Sequence, residues 1–348
     1  MGPVTPRPVI SWETLELRTA QPFGIARWTA SSYARTIVEF RQGEFSGRGE
    51  AAPNAYYGET AATVAAILPL LSGALVDAWD WQGLEANLKR LLPQGHPSVR
   101  CALEMAALEW CAVSVGRPVW GLLGLSPVAL PETSFSVGLA EPEVMRAQLK
   151  AALGRGHRIL KVKLGGQRDQ AVIELLRTEA PQAAIRVDAN ASWTRAQARR
   201  MLGVLQAADI ELLEQPLAAC DLDGHAELRR ISRVPIIADE SLHHLGDLRG
   251  LAGAFDGVNF KTAKLGGPLQ VLRGIHQARA LGLGVMLGCM IESSLGVAGA
   301  AHLGGLADWL DLDGALLLEH DPFGGLEWQA GVLERPSAPG WGVHRVSS

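Results

Sequence analysis

The sequence lacks the features that mark several classes of protein. It has four cysteines among 348 residues and no CxxC pair, so neither a zinc ribbon nor a disulfide framework is predicted. Its longest uncharged stretch, from Thr60 to Val76, contains proline, serine and glycine and falls short of the roughly 20 apolar residues of a membrane span. The opening residues, MGPVTPRPVI, have neither the basic nor the apolar region of a signal peptide. We therefore expect a cytoplasmic protein with reduced thiols and no membrane partner.

Charge of one sign is not in excess either. The 32 basic and 36 acidic residues leave a net charge of −4, which predicts no nucleic-acid partner. Apolar residues make up 48% of the chain, enough to bury a sizeable core. The length suits one large barrel with an accessory domain.

The chain begins with two different patterns. Residues 9–45 alternate apolar and polar side chains as strands do, most clearly in TIVEF. Residues 59–125 show helical periodicity, since Val99, Leu103, Ala106 and Trp110 recur at spacings of three to four. Strands followed by helices predict a small α+β domain, to which we assign residues 1–125.

From about Pro131, short apolar runs alternate with amphipathic helical stretches. The residues near the carboxyl ends of successive runs lie 22 to 28 residues apart, at Lys163, Asp188, Glu214, Asp239, Lys261, Cys289 and Asp311. This period matches one strand plus one helix, and eight such strands predict a closed parallel barrel over residues 126–320. Residues 321–348 are too few for another unit, and we expect them to pack back on the first domain.

Three successive strands end in carboxylates, in RVDAN, LLEQP and ADES. In a barrel, Asp188, Glu214 and Asp239 would then meet at the face where active sites form. Burying three carboxylates together without a cation is strongly unfavourable. A hard divalent cation such as Mg²⁺, which prefers oxygen ligands, would compensate them. The alternative is that each acid caps a helix or pairs with a basic residue.

Lysines flank this trio on both sides. Lys161 and Lys163 in KVK share one face of a strand. Lys261 in FKTAK lies at the corresponding end of the strand that follows Asp239. A nearby cation would lower the pKa of such a lysine from about 10.4 toward the 7–8 that suits a general base. Two alternatives stay open: the lysines pair with the same carboxylates, or Lys264 is the inward lysine of FKTAK.

The DLDG segment contributes two further carboxylates, Asp311 and Asp313. Because alternate residues of a strand point to the same side, we expect both to face the cavity. Carboxylates away from the metal trio favour a cationic partner, and a substrate ammonium is the obvious one. The alternative is a solvated turn.

These motifs together resemble the enolase superfamily, muconate lactonizing enzyme subgroup. The ordered set is KVK, DAN, EQP, ADES, FKTAKLGG, CMIES and DLDG, and with PFGIAR and GEAAPNAYYGET it is most similar to the dipeptide epimerases, such as L-Ala-D/L-Glu epimerase. The resemblance implies a modified (β/α)7β TIM-type barrel with an N-terminal α+β capping domain and one Mg²⁺ per active site. It also implies two-base 1,1-proton transfer through an enediolate, which inverts the α-carbon of the C-terminal residue of a dipeptide.

The same resemblance assigns roles to individual residues. Lys163 and Lys261 would be the acid/base pair, and Asp188, Glu214 and Asp239 the metal ligands. Asp311 and Asp313 would hold the dipeptide ammonium. Further predicted contacts with substrate, or supports for the residues that make them, are Lys161, Ser136, Cys289, Arg27, Asn190, Glu240 and Glu292.

By the same resemblance, Arg27 in the capping loop would contact the second residue of the dipeptide and favour an acidic or polar side chain there. Arg35, Arg48 and His96 are substitutes for it, each more typical of a surface. Ser136 and Cys289 could equally be ordinary strand residues, and Glu292 is balanced between a supporting and a structural role.

Other functions remain open at this stage. An o-succinylbenzoate synthase or a muconate-type cycloisomerase would keep the metal trio and both lysines but would not need DLDG. A mandelate-racemase type would need a histidine that GVMLGCMIES lacks. A non-catalytic ligand-binding barrel, or a phosphate-binding one based on KLGG, would not need the trio and the lysines together. The dipeptide side chains, the pathway and assembly into a homo-oligomer are left undecided.

Overall fold

The computed structural model describes residues 7–346. They begin with an antiparallel sheet in the order β1 (Val9–Gly24), β2 (Thr29–Gln42) and β3 (Phe45–Ala51). Four helices follow: α1 (Ala61–Leu71), α2 (Trp81–Leu91), α3 (Pro97–Ser114) and α4 (Val119–Leu122). Helix α3 lies directly on β3, where glycine is required: a Cβ on Gly49 would lie 2.1 Å from the Ala102 carbonyl oxygen.

A parallel barrel follows the N-terminal unit. Its strands are β4 (Phe135–Val137), β5 (Ile159–Lys163), β6 (Ala184–Asp188), β7 (Leu212–Glu214), β8 (Ile236–Ala238), β9 (Gly257–Lys261), β10 (Gly284–Gly288) and β11 (Trp309–Asp311). The connecting helices are α5 (Pro142–Gly154), α6 (Asp169–Glu179), α7 (Arg195–Ala207), α8 (Leu222–Ile231), α9 (Leu248–Leu251), α10 (Thr262–Leu265), α11 (Pro268–Ala280) and α12 (Ser294–Ala301). A bridge between Thr133 and Leu310 joins the first and last strands. The predicted (β/α)7β barrel with an N-terminal α+β domain is therefore confirmed.

The strand register determines which side chains meet. Lys163 on β5 pairs with Asp188 on β6, which pairs with Glu214 on β7. On the other side of the ring, Lys261 on β9 pairs with Gly288, which pairs with Asp311. The polar strand ends thus form one layer at the carboxyl face of the barrel.

The last residues form two short antiparallel pairs, β12 (Phe323–Gly324) with β15 (His344–Arg345) and the hairpin of β13 (Trp328–Gln329) with β14 (Val332–Leu333). Between them, Trp341 is fully buried, and its indole Nε1 donates to the carbonyl oxygens of Arg48 and Met105 at 3.1 and 3.2 Å.

The hairpin β13–β14 lies elsewhere, at the amino end of the barrel strands. There the Gly331 carbonyl accepts from Thr133 N at 2.9 Å, and Leu333 belongs to the barrel core. The prediction that the C-terminal segment packs on the first domain does not hold for this hairpin, which packs on the barrel. The boundaries 1–125, 126–320 and 321–348 remain our proposal. Within residues 7–346 no helix has the length and apolar character that crossing a membrane requires.

Candidate active site

Three carboxylates meet at the carboxyl face of the barrel. Asp188 and Glu214 are the last residues of β6 and β7, and Asp239 directly follows β8. All three are buried, and each offers an oxygen within 4.8 Å of the others. The register of three adjacent strands brings together residues that are 25 or more positions apart in the sequence.

Lysines compensate these carboxylates directly. Lys163 Nζ lies 2.7 Å from Asp188 Oδ2, and Lys261 Nζ lies 2.7 Å from Asp239 Oδ2. Lys161 Nζ lies 2.6 Å from Glu214 Oε2. The alternative that the lysines pair with the trio is therefore realised in this structure, and both candidate bases lie within reach of any group held by the trio.

The environment shifts the pKa values of these groups in opposite directions. Burial and the neighbouring Asp188 raise the pKa of Glu214 to about 7. Burial alone would raise the pKa of Asp239 too, but Lys261 and Lys264 hold it well below its usual range. Burial opposes the charged form of Lys261, yet Asp239 and Glu214 outweigh it and raise its pKa. The lowered lysine pKa predicted from the sequence is thus not found for Lys261. A cation that binds these carboxylates in place of the lysine would be needed to lower it.

The trio suits a divalent cation. Its donor atoms are all carboxylate oxygens, which Mg²⁺ prefers. Asn259 Nδ2 donates to Glu214 Oε1 at 2.8 Å, which fixes that carboxylate. The other oxygen, Oε2, is buried and lies 2.6 Å from Lys161 Nζ, but it accepts no well-aligned hydrogen bond from the described residues. A metal ion would use the ligand capacity that this oxygen still has.

A cavity of about 380 Å³ opens above the trio, between the barrel and the N-terminal sheet. Its polar lining includes Lys163, Lys261, Ser136, Asn190, Asp239, Glu240, Asp311, Asp313, Arg27 and Arg35. Cys289 also lines it. Lys161, by contrast, has no exposed surface and lies beneath the cavity floor. Its predicted contact with substrate therefore has no counterpart in the cavity lining, and it acts on the carboxylates from below.

The two carboxylates of DLDG are in different environments. Asp311 Oδ2 lies 2.6 Å from Lys161 Nζ, and Ser134 Oγ donates to Oδ1 at 2.7 Å. Asp313 accepts from Ser136 N at 2.6 Å and has no cationic partner among the described residues. Burial and the adjacent Asp311 raise the pKa of Asp313 to about 7. Asp313 is therefore the carboxylate that still needs a positive charge.

Arg27 connects the capping loop to the barrel. Its Nη2 lies 2.7 Å from Glu240 Oε1, and its Nη1 donates to the Asn190 carbonyl. The guanidinium also lies over the Tyr56 ring, 4.3 Å from its centre. Asn190 in turn donates from Nδ2 to Asp188 Oδ2 at 3.2 Å. The charge of Arg27 is thus already compensated by Glu240, which argues against the predicted preference for an acidic substrate side chain.

The three substitutes for Arg27 differ in position. Arg35 is buried and lines the cavity, which corrects its description as a surface residue. Its Nε donates to the Ile291 carbonyl at 2.6 Å and ties β2 to the loop after β10. Arg48 and His96 are absent from the cavity lining. Glu292 is also buried away from the cavity, where burial raises its pKa.

Sequence reasoning missed two residues that hold the trio in place. Gln215 is buried at φ 37°, and its Oε1 accepts from Asp239 N at 2.9 Å and Ser241 N at 3.1 Å. Asn259 holds Glu214 from the neighbouring β9. The EQP motif contains the first, but only the tertiary structure shows its partners. Alternate-residue spacing from Lys261 could have placed Asn259 on the inward face.

Comparison with known proteins agrees with this architecture. The family described as "Enolase C-terminal domain-like" matches residues 144–345. A hydrophobic dipeptide epimerase of Roseobacter litoralis is 35% identical over 96% of this chain and 98% of its own. An L-Ala-D/L-Glu epimerase of Bacteroides thetaiotaomicron is 33% identical over 95% of this chain and 86% of its own.

Among solved structures, a dipeptide epimerase from Cytophaga hutchinsonii complexed with Mg and the dipeptide D-Ala-L-Val superposes with a TM-score of 0.93. It is 26% identical and covers 98% of this chain and 96% of its own. The family match spans barrel strands β5 to β11, which carry the carboxylate trio and both flanking lysines. This chain belongs to the enolase C-terminal domain-like family.

Proposed function

We propose that this protein is a Mg²⁺-dependent dipeptide epimerase that inverts the α-carbon of the C-terminal residue. The observation that carries the proposal is the placement of Lys163 and Lys261 on the same cavity, on opposite sides of the carboxylate trio. The names of the relatives and of the solved structure support the same reaction.

Two lysines on opposite sides permit inversion. The strand order places β5 and β9 on either side of β6, β7 and β8, so the two ammonium groups approach the centre from different directions. A neutral lysine removes the α-proton and leaves an enediolate, while the other, protonated, delivers a proton to the opposite face. The roles exchange in the reverse direction.

Asp188, Glu214 and Asp239 would hold one Mg²⁺ for the substrate carboxylate. When bound, this ion would supply Lewis-acid stabilisation of the negative charge that develops on that carboxylate. Lys161 supports the site from below, because it compensates Glu214 and Asp311 without entering the cavity.

Asp313 distinguishes a dipeptide from the substrates of the alternative enzymes. Its carboxylate is buried, lines the cavity and lacks a cationic partner within residues 7–346. A substrate ammonium would provide one. A cycloisomerase or succinylbenzoate synthase substrate has no ammonium and would leave this carboxylate uncompensated, so the dipeptide is favoured.

The wall beside Asp313 suits an apolar first residue in the dipeptide. Leu317 follows Asp313 by four positions and belongs to the same apolar cluster as Phe23, Tyr33 and Ile291, and all four line the cavity. The arginines in the cavity are engaged, Arg27 with Glu240 and Arg35 with the Ile291 carbonyl. We therefore propose a preference for apolar over acidic side chains.

Exchange of the α-proton in D₂O tests the reaction itself. With Mg²⁺ and a panel of L,L-dipeptides, we expect a mass gain of one unit with inversion. Lys163→Met and Lys261→Met should each abolish inversion while retaining exchange of only one epimer, since each lysine serves one face. Mass spectrometry and chiral chromatography measure both.

Lys89→Met, at an exposed position, is the matched control and should behave as the native protein. Absence of exchange with any dipeptide, combined with turnover of a succinylbenzoate precursor, would refute the epimerase and favour the synthase.

Removal of the metal should stop the reaction. We expect a chelator to abolish exchange and added Mg²⁺ to restore it, with one ion bound per chain by calorimetry. Glu214→Gln should weaken Mg²⁺ binding at least about tenfold because it removes a ligand charge, whereas the exposed Glu143→Gln should not. Native affinity in the Glu214 variant would rule out this trio as the metal site.

Dipeptide affinity should depend on the ionisation of Asp313. Its pKa is raised to about 7, so below pH 7 the carboxyl is neutral and loses its attraction for an ammonium. At saturating Mg²⁺, KM should rise as the pH falls, by about tenfold per unit once well below the pKa. Asp313→Asn should show a high KM that does not change over this range, while the pH profile of the surface variant Asp223→Asn follows the native one. A native-like slope in Asp313→Asn would contradict this assignment.

Substrate profiling tests the apolar wall. Across dipeptides that differ only in the first residue, we expect kcat/KM to favour Leu or Val over Glu by roughly 10- to 100-fold. Leu317→Ser should reduce that preference about tenfold and leave L-Ala-L-Ala turnover nearly unchanged, and Leu70→Ser on exposed helix surface is the control. A native preference for Glu would show that the wall does not set specificity.

A further inference from the structure

Lys264 is a second buried lysine on Asp239, and it differs from Lys261 in every contact. It lies on α10, the short helix that follows β9, and only 3% of the residue is exposed. Its Nζ donates to Asp239 Oδ1 at 2.6 Å, to the Asp239 carbonyl at 2.8 Å and to the Asn259 carbonyl at 3.1 Å. An ammonium has three N–H donors, so all of them are used.

Because all three N–H donors of Lys264 are used, a role in proton transfer is excluded for this lysine. It is absent from the residues that line the cavity, whereas Lys261 lines it. No N–H of Lys264 is left to face a substrate, and the three acceptors hold the side chain in one position. Lys264 therefore acts on the reaction only through Asp239.

The two lysines divide the oxygens of Asp239 between them. Lys264 takes Oδ1 from the side away from the cavity, and Lys261 lies 2.7 Å from Oδ2 on the cavity side. Because Oδ1 is held, the carboxylate cannot rotate freely about its bond to Cβ. Oδ2 is left as the oxygen that is available to a cation when Lys261 turns toward substrate.

The main chain of Asp239 is fixed as well. Its carbonyl accepts from Lys264, and its N–H donates to Gln215 Oε1 at 2.9 Å. Asp239 follows β8 rather than lying within it, so no strand partner fixes its orientation. Asp188 and Glu214, the ends of their strands, are held by register pairs instead.

We propose that Lys264 is a positioning residue that presents Asp239 to the divalent cation and thereby sets the affinity of the site for Mg²⁺. The inference rests on the metal site of the proposed function. Groups that orient a metal ligand typically change metal affinity by 10- to 100-fold when they are removed. A lysine on the ligand also opposes the cation by repulsion, and here the loss of orientation outweighs the loss of that repulsion because Asp239 has no strand pairing to replace it.

Isothermal titration with Mg²⁺ alone tests the proposal on the full-length protein. In Lys264→Met, Asp239 Oδ1 and the carbonyls of Asp239 and Asn259 each lose the hydrogen bond from Lys264, and we expect the Kd for Mg²⁺ to rise by about tenfold or more. Saturating Mg²⁺ should then restore most of the α-proton exchange. Lys261→Met should keep a Kd within about threefold of native, and Mg²⁺ should not restore its inversion.

Lys264→Gln covers the case in which the Met variant does not fold, because it keeps an amide donor but no charge. Its Kd should also rise, by less than that of the Met variant. Lys89→Met is the surface control. A native Kd in folded Lys264 variants would overturn the inference, as would lost exchange that excess Mg²⁺ does not restore. Absence of Mg²⁺ binding in the native protein would instead refute the metal site itself.

Discussion

The arrangement of charged residues at the carboxyl face of the barrel depends on the need to compensate buried carboxylates. Six of them lie in or around the cavity: Asp188, Glu214, Asp239, Glu240, Asp311 and Asp313. Five cationic side chains lie against five of these carboxylates: Lys161, Lys163, Lys261, Lys264 and Arg27. Arg35 also lines the cavity, but it lies 4.0 Å from Glu50, which is outside this set. One carboxylate is left over. Among the residues that the structure describes, none forms a salt bridge with Asp313, and burial together with the adjacent Asp311 raises its pKa to about 7.

The charges of a bound dipeptide and a metal ion also affect the protonation state that the two-base reaction needs. A dipeptide would bring an ammonium for Asp313 and one new carboxylate, while a divalent cation adds two positive charges. A divalent cation at the trio would favour the loss of a proton from a neighbouring lysine, because a nearby positive charge disfavours the ammonium form. A pair of lysines with one proton missing is what epimerisation requires.

The sequence predicted the strand ends well because the period of a βα unit and the carboxyl-end rule are local and topological. Asp188, Glu214 and Asp239 needed only that rule to be brought together. Lys161 and Asp311 are a different case. They meet across β4, inside the barrel, because closure brings β5 near β11. No spacing in the sequence encodes that distance, so the engagement of Asp311 by Lys161 was not foreseen.

Contacts made by residues in helical turns and loops were not predicted from the sequence either, because they also depend on the tertiary structure. Lys261 and Lys264 both reach Asp239, one from the end of a strand and the other from the helix after it. The sequence offered them as alternatives for the inward lysine; the structure places Lys261 in the cavity lining and Lys264 against the other oxygen of Asp239. Arg35 was misjudged because strand alternation on β2 does not reveal which face the barrel loops cover.

Arg27 shows that the N-terminal unit and the barrel both contribute residues to the site. It lies between β1 and β2, yet its guanidinium contacts Asn190 and Glu240, which follow two different barrel strands. The proposed chemistry uses the barrel alone, because every carboxylate of the trio and both lysines come from it. The wall that would contact a substrate side chain combines Phe23 and Tyr33 from the N-terminal sheet with Ile291 and Leu317 from the barrel. Substitutions in that sheet can therefore change which side chain is accepted while the proton-transfer groups keep their positions.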